Sequence, residues 1–362
     1  MSRKKFIYGG EHSLNLCIKS NKENEAYNIL EKLNKNTLFF RSGRDAFNSI
    51  IDFLKPNIIW LPNYICDSLW EISRRKTKIN WYEVRNDLEI NTEQIIKGSS
   101  PNDVVFIIAT FGSKSIKNLE FISKSIKSKI IVDLTHLVLD HNLINKVKEY
   151  SHYQIFSLRK AFPVLDGGLL SSSLPLNIQT IQGAEYDSYL AYRSIGLLSR
   201  GAAIRRGIDE NENIKYLKKA EEILNKEENL GINISPFSRN ILKLIDYKKC
   251  SEKSRSNRFL IYKLIYNCKC FKLLSQDDSI SIYIPMLFES QIKRDIFRKK
   301  LRDKSIYFPV HWPLPLDSEI TKKKKEHLSN RMLSIPCDYR YSKSDIKNIC
   351  KVLKRIDIEI NI

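Results

Sequence analysis

The stretch SLRKAFPVLDGG, Ser157 to Gly168, places Lys160 inside an otherwise apolar run that ends in two glycines. An ammonium flanked by Phe156, Leu158, Ala161, Phe162 and Pro163 is costly to desolvate. Burial there would favour the neutral, nucleophilic amine that a Schiff-base lysine needs. The competing reading is that Arg159 and Lys160 both reach past the apolar surface to solvent. A second candidate is Asp133, which ends the apolar run KIIVD and is followed three residues later by His136. A carboxylate at a strand end can bind a metal, act as a base or pair with a protonated ring nitrogen; it can equally cap the next helix. A third is FFRSGRDAF, where a strand runs into Ser42-Gly43 and then a helix. Glycine permits close backbone approach and a helix N-terminus offers amides to an anion such as phosphate, although a glycine before a helix is also common punctuation.

These residues need a scaffold that brings strand ends together. From residue 36 to about 175, short apolar runs alternate with amphipathic stretches, the pattern of an α/β unit with a mainly parallel sheet. The expected strands are 37–40, 58–61, 79–83, 103–109, 130–133, 153–157 and 168–172, with helices over 44–54, 67–74 and 116–126. Such a sheet binds ligands at the carboxyl ends of its strands. Residues 184–230 change to long charged helical segments and read as a helical insertion. Beyond them the pattern predicts one long helix from Ser235 through Ile265, strands 279–286 and 306–311, and a last helix over 344–355, a small α+β domain.

Composition narrows the function classes. The 362 residues are 42% hydrophobic and 28% charged, an ordinary globular mixture long enough for one large and one smaller domain. The longest wholly apolar run, Val104 to Ala109, is far short of the roughly 20 residues a membrane helix requires, and no signal-peptide core is seen, so a cytoplasmic location is expected. Seven scattered cysteines form no disulfide framework, and Cys268-Lys-Cys270 lacks a second pair at zinc-binding spacing. A net charge of +20 raises the question of nucleic acid. The lysines are spread along the whole chain, however, and the run Lys322–Lys325 accompanies no nucleic-acid motif.

Taken in order, a phosphate-type turn, an aspartate at a later strand end and a lysine before a Gly-Gly strand resemble fold-type I pyridoxal phosphate enzymes. The likeness is strongest to the DegT/StrS-type sugar-nucleotide aminotransferases and runs over roughly residues 8–355. The family's turn matches Ser42-Gly43-Arg44-Asp45-Ala46-Phe47, its later strand end WLPNYICDS, its Asp-x-x-Gln/His motif Asp133 and His136, and its lysine segment Ser157, Lys160, Gly167 and Gly168. IYFPVHWPLP and RMLSIPCDYRYSKSDI are similar to its closing segments.

The resemblance implies a large domain, 1–235, with a mainly parallel central sheet flanked by helices, an N-terminal arm and the insertion, and a small domain, 236–362. It implies that Lys160 bears pyridoxal 5'-phosphate and shuttles a proton, that Asp133 pairs with the pyridinium nitrogen, and that His136 lies near the ring's 3-oxygen. Ser42, Gly43, Arg44 and Ser157 would cradle the phosphate, with Tyr64 and His311 on the substrate side. The implied reaction moves an amino group from an amino acid, glutamate by expectation, to a nucleotide-linked keto-sugar for surface polysaccharide or glycan synthesis, in a homodimer with a shared site.

Three departures accompany this. Ser157 is only three residues before Lys160, Cys66 stands where the family stacks an aromatic on the ring, and GINIS, 231–235, places Gly231 where an asparagine reaches the partner subunit's phosphate. Two alternatives therefore stay open. One is a pyridoxal phosphate-dependent sugar dehydratase, against which retention of the lysine argues. The other is a cofactor-binding or interaction protein that has lost transamination.

Overall fold

The computed structural model describes residues 7–14, 21–183, 187–206, 211–226, 231–312 and 328–361; the lysine run at 322–325 lies outside them. In chain order the strands are β1 (Tyr8–Gly9), β2 (Asn36–Phe40), β3 (Ile58–Pro62), β4 (Lys78–Tyr82), β5 (Val104–Ile108), β6 (Lys129–Asp133), β7 (Tyr153–Ser157), β8 (Gly168–Ser172), β9 (Phe271–Leu273), β10 (Tyr283–Phe288), β11 (Ile306–Tyr307) and β12 (Met332–Pro336). Seven of them form the central sheet in the order β2-β8-β7-β6-β5-β3-β4. Within it β8 runs antiparallel to both its neighbours, and the other pairings are parallel.

Parallel neighbours need crossover connections, here the helices Asp67–Lys76, Leu119–Ser125 and His141–Tyr150. A sheet covered on both faces selects unbroken apolar strands, and β5, VVFII, is buried along its whole length. The chain steps outward from β3 to β4, then returns to lay β5 on the other side of β3. That reversal opens a crevice beyond the carboxyl ends of the central strands.

A second core lies around the antiparallel sheet β12-β10-β9 and the helices Tyr247–Leu264, Gln291–Arg302 and Lys343–Asn361. The boundary expected at 235/236 is crossed in both directions. Tyr8, far upstream, belongs to this second core, where it stacks on Tyr341 at 3.9 Å. Ile241, Leu242 and Ile245, beyond 236, pack into the first.

The downstream elements differ from the sequence expectation for local reasons. The single helix expected from Ser235 is two, Pro236–Lys243 and Tyr247–Leu264. Asp246 interrupts it: its side chain accepts from the Lys249 amide at 2.9 Å and starts a new helix, while the Ile245 carbonyl turns away to accept from Ala26 at 2.9 Å. The strand expected at 279–286 begins only at Tyr283, because Ile280 donates to Asp140 Oδ2 and Ile282 to the His136 carbonyl. The strand expected over 306–311 is limited to Ile306–Tyr307, just ahead of Pro309, which has no amide to donate.

Of the insertion at 184–230, the helices Ser188–Arg206 and Asn211–Lys226 are described. They pack on one another through a small cluster of Tyr189, Ala220 and Leu224.

Candidate active site

The floor of the site is set by a clasp between two glycines and the turn after β2. Ser42 caps the helix Gly43–Leu54: its Oγ accepts from the Asp45 amide at 3.1 Å and donates to Asp45 Oδ2 at 2.8 Å. The amides of Gly43 and Arg44, at the first positions of the helix, have no intrahelical acceptor and are available to an anion. Gly168 pairs with Phe40 across the antiparallel ladder, and a Cβ there would sit 2.1 Å from the Ser42 carbonyl, so only glycine admits this approach. Gly167 has φ +145°; its amide donates to the Arg41 carbonyl at 2.6 Å and its carbonyl accepts from Leu158 at 2.9 Å. The glycine pair thereby ties the capped turn to the lysine loop.

From β7 the chain enters one tight turn, Leu158–Lys160, closed by Ala161 donating to the Leu158 carbonyl at 3.0 Å. This turn is the short link between Ser157 and Lys160. Asp133 closes β6 next door, and its Oδ1 accepts from the Thr135 amide at 2.9 Å. Thr135 Oγ1 accepts in turn from the Ser157 amide at 2.9 Å, which fixes the two strand ends side by side. Burial pushes the Asp133 carboxyl up, opposed by the Thr135 hydrogen bonds and the charge of Lys160. A carboxylate so placed gains from a cationic N–H partner.

A narrow cavity of about 70 Å³ brings together Ser42, Gly43, Arg44, Cys66, Asp133, Ser157 and Lys160, seven of the ten residues singled out in the sequence. Its lining combines helix amides and hydroxyls with a carboxylate and an amine. An elongated ligand with an anionic group, a protonated ring nitrogen and a carbonyl carbon would meet a partner for each.

The other three residues lie beside this cavity. His136 is absent from its lining; the imidazole packs between Phe111, at 4.8 Å, and Trp312, at 5.6 Å and 15°. Burial, then the neighbouring His311 and Lys160, push its pKa well below the usual histidine value. His311 lines a second cavity of about 440 Å³ that also reaches Lys160. Its Nδ1 is 2.9 Å from Ser334 Oγ, and burial with the nearby lysine lowers its pKa to about 3. Tyr64 is fully buried, donates to the His311 carbonyl at 2.5 Å and positions that residue from behind.

Two features were not read from the sequence. Trp312 lines the small cavity with Cys66, its ring 5.9 Å from Lys160 Nζ, so an aromatic face is supplied from the far end of the chain. The only signal for it was the neighbour His311. Arg159 finds its partners in the insertion and the N-terminal arm: it lies 2.5 Å from Glu221 and 3.8 Å from Glu11, and Glu221 also holds Arg44 at 3.0 Å. The segment 231–235 packs within the same chain, the Ile232 carbonyl accepting from Arg41 at 2.7 Å and Ser235 Oγ donating to Asp166 at 2.6 Å.

No protein-family model and no curated protein sequence matches the chain. Among solved structures it is similar to a Streptococcus pneumoniae protein provisionally designated a sugar aminotransferase, in its cofactor-free form. That likeness has a TM-score of 0.61 at 12% identity and covers 95% of this chain and 92% of that one. Serine palmitoyltransferase carrying pyridoxal phosphate is similar at a TM-score of 0.61 and 13% identity, over 98% of this chain and 81% of that one. The S. paucimobilis serine palmitoyltransferase bound to myriocin through the cofactor gives 0.61 at 12%, with the same coverage. The chain thus has the fold of the fold-type I pyridoxal phosphate transferases, a central mostly parallel sheet flanked by helices.

Proposed function

We propose that the chain is a pyridoxal phosphate-dependent aminotransferase of the DegT/StrS kind. It would transfer an amino group from an amino acid, expected to be glutamate, to a keto group on a nucleotide-linked sugar. One observation carries the reading: Lys160 and Asp133 line the same cavity as the capped N-terminus of the helix Gly43–Leu54. The residues present fit the cofactor. Ser157 Oγ makes no hydrogen bond among the described residues, the Gly43 and Arg44 amides are available, and the Asp133 carboxylate is hydrogen-bonded by Thr135 alone among the described residues. A Cβ on Gly43 would stand 3.2 Å from Ser157 Cβ, narrowing the space between the two sides of the cradle.

Bound pyridoxal phosphate supplies an electron sink that stabilises a carbanion beside the transferred nitrogen. The chain's residues do the rest. Ser42, Gly43, Arg44 and Ser157 would hold the phosphate, and Asp133 would keep the ring nitrogen protonated by ion pairing. Lys160 Nζ would hold the cofactor and would be the group that moves the proton at the carbon bearing the transferred nitrogen. Trp312 and Cys66, which line the same cavity, would pack on the ring, and Trp312 stacks in turn on His136.

Fold alone does not choose between an amino-group acceptor and the acyl chemistry in the name of serine palmitoyltransferase. The sugar acceptor rests on the series of motifs along the chain. The homodimer and its shared site belong to the same reading. Among the described residues, no helix is long and apolar enough to cross a membrane. The test is to load the purified protein with pyridoxal phosphate, convert it with glutamate to the pyridoxamine form, and offer nucleotide keto-sugars. Return of the lysine-bound absorbance band with one of them is expected; no such band at any stage refutes the reading.

A further inference from the structure

Lysines spread along the sequence are not spread evenly over the surface. The helices Tyr247–Leu264, Gln291–Arg302 and Lys343–Asn361, of 18, 12 and 19 residues, contain 17 Lys and Arg against 5 Asp and Glu, which is +12 of the net +20. Arg258 and Arg294 are buried, and the other basic side chains of the three helices all reach solvent. Among the acids, Asp357 is buried and accepts from the Lys269 and Cys270 amides at 3.0 and 2.6 Å. The last helix packs against both of the others. Lys300 pairs with Glu359 at 3.0 Å, and Lys354 Nζ lies 5.4 Å from the ring of Tyr266, just beyond the first helix.

The same face carries apolar side chains that a surface meeting only water does not need. Ile292, Tyr266 and Phe259 are 70–72% exposed, more than any other large apolar side chain among the described residues, and Ile358 is 60% exposed. Each helix buries its opposite side in the second core, through Ile261, Phe297 and Leu353 for example. Strand alternation sets where this face points. Ile284, Met286, Leu333 and Ile335 of β10 and β12 join that core, whereas Tyr283 and Pro336 line the cavity beside Lys160. The basic face therefore lies on the far side of this sheet from the candidate active site.

We propose that the outer side of these three helices is a docking surface for an anionic phospholipid bilayer. Its lysines and arginines sit at the phosphate headgroups, while Phe259, Tyr266, Ile292 and Ile358 enter the boundary with the hydrocarbon. Charge selects an anionic partner. The isoleucines favour a bilayer over a nucleic acid, because a phosphate backbone has no apolar counterpart for them. A second copy docked by a two-fold axis would set this charge against itself. The inference is independent of the aminotransferase reading, since it uses no residue of that site.

The experiment is flotation of the full-length protein with vesicles of phosphatidylcholine, alone and mixed with phosphatidylglycerol. Binding to the anionic vesicles only is expected, weakening as salt is raised. Lys347, Lys351 and Lys354 are exposed and form no salt bridge among the described residues. Each lysine at an anionic surface contributes about fivefold, so changing all three to Gln is expected to weaken binding roughly a hundredfold. The same change at Lys55, Lys127 and Lys129, exposed on the large domain, keeps the net charge equal and is expected to cost far less. Phe259→Trp is expected to add an emission that shifts to the blue with anionic vesicles, a readout that needs no lysine variant to fold. Failure to bind anionic vesicles overturns the proposal. So do equal losses from the two triple variants, an unshifted emission, or displacement from the vesicles by duplex RNA at equal phosphate concentration.

Discussion

The site has a floor and a roof built on different principles. The floor, Ser42, Gly43, Asp133, Ser157 and Lys160, hangs from strand ends and one helix start of a single sheet. Its geometry follows from backbone pairing and from the close approach that Gly168 allows. The roof, Glu11, His12, Glu221, His311 and Trp312, comes from the N-terminal arm, the insertion and the approach to the second core. It is held in large part by side chains: the Arg159–Glu221 and Arg193–Glu11 pairs, and the packing of Trp312 on His136. A floor fixed by the ladder should tolerate loss of a side chain structurally while losing chemistry. A roof fixed by side chains should lose affinity or stability first.

The sharpest way to break that contrast is Lys160→Ala. Transamination and the lysine-bound absorbance band should both vanish while the melting temperature stays close to that of the parent, since the turn at 158–160 is closed by backbone bonds. Substantial turnover would remove the lysine from its role. Asp133→Asn comes next. Cofactor uptake should survive, yet turnover should fall roughly a hundredfold or more as the ring nitrogen loses its charged partner; an unchanged rate would make Asp133 structural.

For the roof, Trp312→Leu should weaken cofactor binding by roughly three- to tenfold, the worth of an aromatic contact beyond its area. Equilibrium titration followed by absorbance measures it, and an unaltered affinity would leave Cys66 as the sole cover of the ring. The smallest effect is Glu11→Gln. Arg193 and Arg159 overcome the cost of burial and draw Glu11 down to about 2 from 4.5. Its stabilisation is therefore complete above pH 4.5 and fades as pH falls towards 2. With 35% of the side chain open to solvent, the pair is worth about 1 kcal/mol. Thermal melts should show that difference between parent and variant at pH 6 and little of it near pH 2.5; a constant gap would mean that Glu11 acts through packing.

The same division explains what could be read in advance. The expected strands 153–157 and 168–172 match β7 and β8 residue for residue, and the other central strands lie within one residue at each end. Their signals are local: buried apolar runs, a serine cap and paired glycines. The cavity that joins Ser42, Cys66, Asp133 and Lys160 follows once those strands pair. Nothing local marks Glu221 as the partner of Arg159 or Trp312 as the neighbour of Cys66, because those contacts depend on how distant elements pack. Asp246 shows the limit at short range. Helical periodicity runs through it, and only its side chain's bond to Lys249 reveals that it starts a new helix.

One pairing has a consequence in time rather than in space. β1 lies beside β11, the Tyr8 hydroxyl donates to the Pro336 carbonyl, and the Gly9 amide donates to the Tyr341 hydroxyl 332 residues downstream. On the ribosome the arm emerges before the central sheet and must wait for partners as far as 332 residues downstream, whereas the central sheet is complete once β8 has been made. Glu11 and His12 directly follow this arm, so the wall of the larger cavity would be among the last parts of the molecule to assemble.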